Sequence, residues 1–201
     1  MIKKYYIIAF LLIIADQASK LAVKSFDFFG ISHEGMKYGE LIPVIDDIFM
    51  LTYIENPGMA FGISFGSGKI FLSLFSIIAG SALGYYLYKI KEAHATVKTG
   101  IMLIFAGAVG NLIDRVFYGV IFNESPLFYG RVVDFLQVDI PDVSIFGLHY
   151  THWPVFNIAD SCVTVGVVIL IIFHKKLPEF SDIFGSKKKN EPDNNEALEN
   201  E

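Results

Sequence analysis

Residues Tyr5–Phe26 read YYIIAFLLIIADQASKLAVKSF. Tyr5–Ala15 carries no charge, then Asp16, Gln17 and Lys20 break in before the apolar run resumes at Leu21. Helical residues rise 1.5 Å each, so ~20 of them cross a ~30 Å hydrocarbon layer. The stretch therefore predicts a transmembrane helix that carries ionisable groups inside it. Lys3 and Lys4 before an apolar run also suit a cleaved signal peptide. However, Ala15–Lys20 (ADQASK) is a poor small-residue cleavage site, and the apolar run continues past it.

Three more stretches have span length: Ile70–Ile90, Val97–Val120 and Val155–Phe173. Asn111, Asp114 and Arg115 interrupt the far end of the third. Composition agrees with a membrane protein. Apolar residues make up 53% and charged residues 18%, against ~25% charged in ordinary soluble domains. From Leu177 onward three lysines face seven acids, so the tail holds −4 of the formal −5. This balance excludes a basic nucleic-acid binder and a chain disordered throughout. The single cysteine, Cys162, excludes an internal disulfide and a cysteine-rich zinc site.

Orientation follows from the basic residues. Lys3, Lys4, Lys89, Lys91, Lys98, Lys175, Lys176 and Lys187–Lys189 fall on one side. The opposite loops, 27–69 and 119–154, hold only Lys37, Lys69 and Arg131. Both termini are expected in the cytoplasm and both long loops outside. Alternation around Ile48–Ile54, with Pro43, Pro57 and several glycines, predicts a small β-structured element in the first outer loop. The expected fold is thus a membrane all-α protein: four transmembrane helices over 1–176, a small external β-element, and a disordered cytoplasmic tail over 177–201.

Ionisable groups inside spans are costly and point to function. Asp16 and Lys20 lie four apart with the carboxylate first, a spacing that pairs on one helix face. Gly107, Asn111, Asp114 and Arg115 form a stripe on the third span; Asn157, Asp160, Ser161 and Thr164 form one on the fourth. Depth matters too. Asp16 lies ~18 Å along its span, Asp160 ~8 Å below the outer end of the fourth, and Asp114 near the outer end of the third. Asp134, in Arg131–Leu136 (RVVDFL), can reach the same layer from the second outer loop. Several carboxylates therefore converge near the outer leaflet.

Plainer readings exist for each. Asp16–Lys20 suits a structural ion pair with Lys20 snorkelling outward, and Asp114 with Arg115 suits a tie between helices. Asn111 and Asn157 suit interhelical hydrogen bonding, and Cys162 an apolar filler. Asp160 has no basic neighbour within one turn, so its partner must come from elsewhere.

Two carboxylates close together in a dry site cannot both ionise, so they share a proton. The ionised member can take a proton from water while the other polarises a carbonyl, as in aspartic proteases. Such chemistry calls for no metal, cofactor or covalent nucleophile. Competing sets are thinner: His149 and His152 lack an HExxH context, and no GxSxG or P-loop pattern occurs. A proton conduit would need polar groups through its full depth, and the inner halves of the second and third spans offer few. A scaffold subunit would leave Asp160 unexplained.

Five segments together resemble lipoprotein signal peptidase, the signal peptidase II family. They are Asp16-Gln17-x-x-Lys20, Asn56-Pro-Gly58-Met-Ala-Phe-Gly62, Gly110-Asn-Leu-Ile-Asp-Arg115, Val132-Val-Asp134-Phe135 and Phe156-Asn-Ile-Ala-Asp160-Ser161, in order over about Lys4–Phe173. The resemblance implies an aspartyl endopeptidase of the bacterial inner membrane with its active site near the periplasmic face. It would cut prolipoproteins just before a diacylglyceryl-modified cysteine, and the cyclic depsipeptide globomycin would inhibit it. Its implied partners are lipid-modified prolipoproteins and membrane lipid, with no nucleic acid, and it would act as a monomer. The implied catalytic pair is Asp134 and Asp160, with Asp114 the rival for one place. Asn56, Gly58, Asn111, Arg115 and Asn157 match positions around the substrate or inhibitor; Asp16, Lys20 and Asp114 match supporting positions. The stretch Asp139–Trp153 is longer than the common pattern, and its Phe146, Tyr150 and Trp153 suit an interfacial aromatic belt.

Overall fold

A computed structural model describes residues 2–28, 30–46, 48–58, 69–145, 148–179 and 183, with the backbone alone at 28, 141–145 and 148–151. Unbroken runs of Ile, Leu, Phe and Ala favour helix once lipid removes water as a competing hydrogen-bond partner. They form α1 (Lys3–Val23), α2 (Lys69–Lys89) and α3 (Ala95–Ile113). The chain leaves α3 through a wide π-helical turn, Asp114–Tyr118, into a short α4 (Gly119–Ile121). Among the described residues, Lys3–Val23, Lys69–Lys89 and Ala95–Ile121 are long and apolar enough to cross a membrane. The fourth apolar helix, α5 (Ile158–Ile172), has 15 residues. Large apolar side chains such as Phe10, Phe71, Phe75, Ile171 and Ile172 point outward and exposed, as lipid-facing side chains do. This is a multi-pass membrane protein.

The expected fourth span began at Val155, but the helix starts three residues later. Asn157 is extended and caps α5: its side chain accepts from the Asp160 N–H, and the Asp160 side chain accepts from the Asn157 N–H. This reciprocal box satisfies two otherwise orphaned donors. Asp160 therefore lies in the first turn of α5, not ~8 Å below its outer end.

Helix α3 is central and packs on α1, α2 and α5. Small residues set its closest approach. A Cβ on Gly107 would overlap the Ala159 carbonyl of α5, so only glycine allows the two backbones to meet there. Tyr5, Ala9, Leu87, Val97, Ile101 and Met102 fill the core between α1, α2 and α3. At the other end Val23, Tyr53, Tyr118, Val133 and Phe135 join the helices to a sheet.

That sheet is larger than the sequence predicts. Beyond a hairpin of β1 (Phe26–Phe28) and β2 (Ile31–His33), it comprises β3 (Ile42–Ile45), β4 (Phe49–Asn56), β5 (Val132–Ile145) and β6 (Leu148–His152), in that order and antiparallel. Strands β5 and β6 come from the segment between α4 and α5, so the β-element is shared by it and the segment between α1 and α2. Asp134 is consequently on a strand and not in a loop. In the β4–β5 register Ile54 lies opposite Asp134, Glu55 opposite Val133 and Asn56 opposite Val132, after an irregularity between Leu51 and Ile54. Met59–Gly62 of the Asn56 motif, Phe146, the Tyr150 side chain and most of the tail lie outside the described residues. Trp153 is exposed.

Candidate active site

The site starts on α1. Asp16 and Lys20 pair at 2.8 Å as their spacing predicts. Lys20 does not snorkel, however. Its ammonium is fully buried and also meets Asp114 at 2.8 Å and Asn111 Oδ1 at 2.9 Å. A buried ammonium needs such compensation, and this one joins α1 to α3. Asp114 thus does tie helices together, through Lys20 and not through Arg115. Gln17, beside the pair, donates to Asp114 Oδ1 at 2.9 Å and accepts from the Tyr118 hydroxyl at 3.0 Å. The second oxygen of each buried carboxylate is used as well. Asp16 Oδ1 accepts from the Ala159 N–H at 2.9 Å, and Asp114 Oδ2 from the Val133 N–H at 3.2 Å. Asp16 thereby holds the first turn of α5, and Asp114 holds β5 one residue before Asp134.

Two asparagines carry the network onward. Asn111 accepts from Lys20 and donates to Asp160 Oδ1 at 2.7 Å. Asn157, fully buried, donates through Nδ2 to Asp134 Oδ1 at 2.7 Å, to Asn111 Oδ1 at 3.1 Å and to the Val133 carbonyl at 3.2 Å. Its backbone N–H meets Asp160 Oδ2 at 3.3 Å. Asn56, the last residue of β4, donates to Asp134 Oδ2 at 3.3 Å. Its own Oδ1 accepts from the Gly58 N–H at 2.9 Å. Gly58 has φ +90°, a left-handed conformation that favours glycine. Among the described residues Asp134 thus receives N–H donors from Asn56 and Asn157, and Asp160 from Asn111 and Asn157, with the Asn157–Asn111 bond linking the two.

Burial pushes the Asp134 carboxyl up, and the neighbouring Asp160 charge pushes it further, to about 7. The Asn56 and Asn157 donors oppose this without cancelling it. Arg115, next to Asp114 on the π turn, donates to the Ser76 hydroxyl at 3.4 Å, while its buried Nε has no hydrogen-bond partner among the described residues. Wide π turns of this kind often occur at functional sites. Beside Asp160 a cavity of about 540 Å³ opens between β5 and α5, with Val138, Ile140, Phe156 and Val165 on its walls and Thr164 below.

The structure brings Asp16, Lys20, Asn56, Asn111, Asp114, Asp134, Asn157 and Asp160 into one connected network, with Gly58 and Arg115 at its edges. Sequence reasoning gave no role to Tyr118 or to the Val133 backbone. The Tyr118 bond spans 101 positions, and no local pattern announces it.

A multi-pass membrane protein with a pair of carboxylates, one buried and one half-buried, held by amides is the class that fold and site define. Residues 8–175 match the family described as Signal peptidase (SPase) II. The chain is 37% identical to "Lipoprotein signal peptidase" of Pelodictyon phaeoclathratiforme (strain DSM 5477 / BU-1), covering 87% of this chain and 92% of that protein. It is 35% identical to the protein of the same name from Porphyromonas gingivalis (strain ATCC 33277), covering 83% and 80%. A solved bacterial membrane enzyme is similar at 32% identity with a TM-score of 0.62, covering 95% of this chain and 96% of that one. The chain belongs to the signal peptidase II family and is a peptidase, a hydrolase of the membrane.

Proposed function

We propose that this protein removes signal peptides from diacylglyceryl-modified prolipoproteins, cutting just before the lipidated cysteine, with Asp134 and Asp160 as its catalytic pair. The observation that carries this reading is the chain Asp134–Asn157–Asn111–Asp160, in which amides link a buried carboxylate, Asp134, to a half-buried one, Asp160, that lines a cavity. The pair holds one proton between them. The ionised carboxylate takes a proton from water as the water oxygen attacks the scissile carbonyl carbon. The protonated carboxyl gives its proton to the carbonyl oxygen. In the second step the tetrahedral carbon expels the cysteine amine, which gains a proton from the carboxyl protonated in the first step, and the other carboxylate recovers its own proton. The pair returns to its starting state.

Asp114 suits a supporting role better than a reacting one, because Lys20, Gln17 and the Val133 N–H occupy its oxygens. The Arg115 Nε, without a partner among the described residues, offers a donor to a substrate carbonyl. The apolar cavity walls suit a lipid-modified substrate. The setting we infer from the family is the bacterial inner membrane, and the placement of lysines supports cytoplasmic termini with the site at the opposite, periplasmic face.

The test is cleavage of a diacylglyceryl-modified precursor by purified protein in detergent, with Asp134→Asn, Asp160→Asn and Asp114→Asn compared for folding and rate. Wild type should cleave and be inhibited by globomycin. Asp134→Asn and Asp160→Asn should lose orders of magnitude in rate, whereas Asp114→Asn keeps partial activity. Good cleavage by Asp134→Asn with a dead Asp114→Asn would transfer the role to Asp114.

A further inference from the structure

A second buried lysine lies one helical turn beyond Lys20, and the reaction as described makes no use of it. Lys24 directly follows α1, its N–H still bonded to the Lys20 carbonyl at 3.1 Å, and is 2% exposed. Its ammonium meets Glu55 of β4 and Glu124 of the segment between α4 and β5, both at 2.5 Å. It also reaches the Tyr53 hydroxyl at 3.3 Å, and that hydroxyl donates to the same Glu55 oxygen. Arg131 takes the other Glu55 oxygen at 3.3 Å. Burial pushes the Glu55 carboxyl up, but the Lys24 and Tyr53 hydrogen bonds outweigh it and hold it below the usual range.

A buried ion cluster of this kind is weak evidence for stability, because apolar residues of similar volume often serve as well. Its location suggests another use. Side chains alternate along a strand, so Tyr53 and Glu55 face the helices while Asn56 faces Asp134. Asn56 is the last residue of β4, and the ladder is irregular between Leu51 and Ile54. Only Ile54, Glu55 and Asn56 pair with β5 beyond that irregularity. Strand ends with so few ladder bonds fray readily. The anchor at Glu55 is adjacent to Asn56, and the anchor at Glu124 lies on the segment that leads into β5 and Asp134.

We propose that Lys24 is a positioning residue that, through Glu55 and Glu124, sets the hydrogen bond from Asn56 to Asp134. The proposal rests on the reading of Asp134 as catalytic. It makes Lys20 and Lys24 a division of labour. Lys20 supports Asp160 through Asn111, and Lys24 supports Asp134 through Asn56.

The experiment measures kcat and KM on a diacylglyceryl-modified precursor for Lys24→Met, Lys24→Arg and Glu124→Gln, each also in an Asn56→Ala background. Lys24→Met should lower kcat at least tenfold with KM changed less than twofold, and Lys24→Arg should recover to within threefold of wild type. In the Asn56→Ala background the Lys24→Met loss should vanish, because the bond it sets is already gone. An equal loss in both backgrounds, or no loss at all, overturns the proposal. If Lys24→Met does not fold, Glu124→Gln decides: that side chain is 42% exposed, and its kcat should fall with the same dependence on Asn56. An activity-independent measurement separates this proposal from the reading beneath it. In protein labelled with 15N-asparagine, the Asn56 side-chain amide resonance should shift in Lys24→Met and return in Lys24→Arg. An unmoved resonance overturns the role of Lys24 whatever the enzyme does. A wild type that fails to cleave, or an active Asp134→Asn, counts against the catalytic reading instead.

Discussion

Asn157 donates to Asn111 Oδ1 across the α3–α5 contact at 3.1 Å, so one amide reads the position of the other. Asn157 also holds Asp134, and Asn111 also holds Asp160. Any change in how α3 meets α5 is therefore felt by both carboxylates at once.

Asn157→Ala removes the donor to Asp134 together with the helix cap. Loss of such a cap costs ~1 kcal/mol, and the rate should fall at least a hundredfold. Asn157→Asp keeps a capping acceptor but adds a third carboxylate beside the pair, so it should be no more active. Cleavage rates and thermal midpoints in detergent check this. Activity of Asn157→Ala within threefold of wild type would remove the amide from the mechanism.

The pH profile of kcat/KM should be bell-shaped. Asp134 keeps its proton up to about pH 7. Above that pH its carboxyl ionises, the proton donor disappears, and the rate should drop about tenfold per pH unit. A profile flat to about pH 9, with chemistry shown to be rate-limiting, would contradict a shared-proton pair.

Stability should respond to the same group with a definite sign. The folded Asp134 carboxyl sits at about 7, raised from 3.8. Between those values the unfolded chain ionises while the folded one does not, so stability falls as pH rises through that window. Asp134→Asn removes this loss. Its thermal midpoint should exceed wild type by about 5 °C or more at about pH 8, and by much less at about pH 4. An equal difference at both pH values would mean that ionisation is not the cause.

Lys20→Met leaves Asp16 and Asp114 buried without their cation. Breaking a buried pair this way costs ~3–5 kcal/mol, enough to lose much of the folded population. Adding Asp16→Asn and Asp114→Asn should recover most of the stability but little of the activity. Denaturation in mixed micelles measures the first and precursor cleavage the second.

Glycine positions on the helices should separate sharply. A Cβ on Gly107 would overlap the Ala159 carbonyl, whereas one on Gly80 would meet Val109 Cγ2 at an ordinary 3.7 Å. Gly107→Ala should therefore disrupt α3–α5 packing and abolish folding, and Gly80→Ala should retain both fold and activity. Yield of monodisperse protein and cleavage rate discriminate them.

The helices and the polar layer were legible because apolar run length and helical spacing are local. Asp16 and Lys20 pair as four-residue spacing demands. What the spacing omits is the third partner: Asp114 lies 94 positions from Lys20, and only the packed fold brings it there. The same holds for β5. Its pairing with β4 depends on partners about 80 residues away, and strand propensity is set largely by such neighbours. The sequence alone therefore places Asp134 in a loop, and no local pattern marks Glu55 or Lys24. The late start of α5 was more accessible. Asn157 and Asp160 stand three apart, a spacing that marks a helix start, but continuous hydropathy from Val155 concealed it.

Fifteen residues make α5 ~22 Å long, against ~31 Å for the 21 residues of α1. A bilayer crossed by both cannot match both thicknesses. Lipid next to α5 would thin or draw its headgroups inward to compensate, at a modest cost per ångström. That rim would coincide with the helix whose first turn carries Asp160. On the function proposed above, bulk water and the ester region of the lipid would then come down to the carboxylates. The short helix would make the bilayer itself part of the route by which a lipid-anchored bond meets its water molecule.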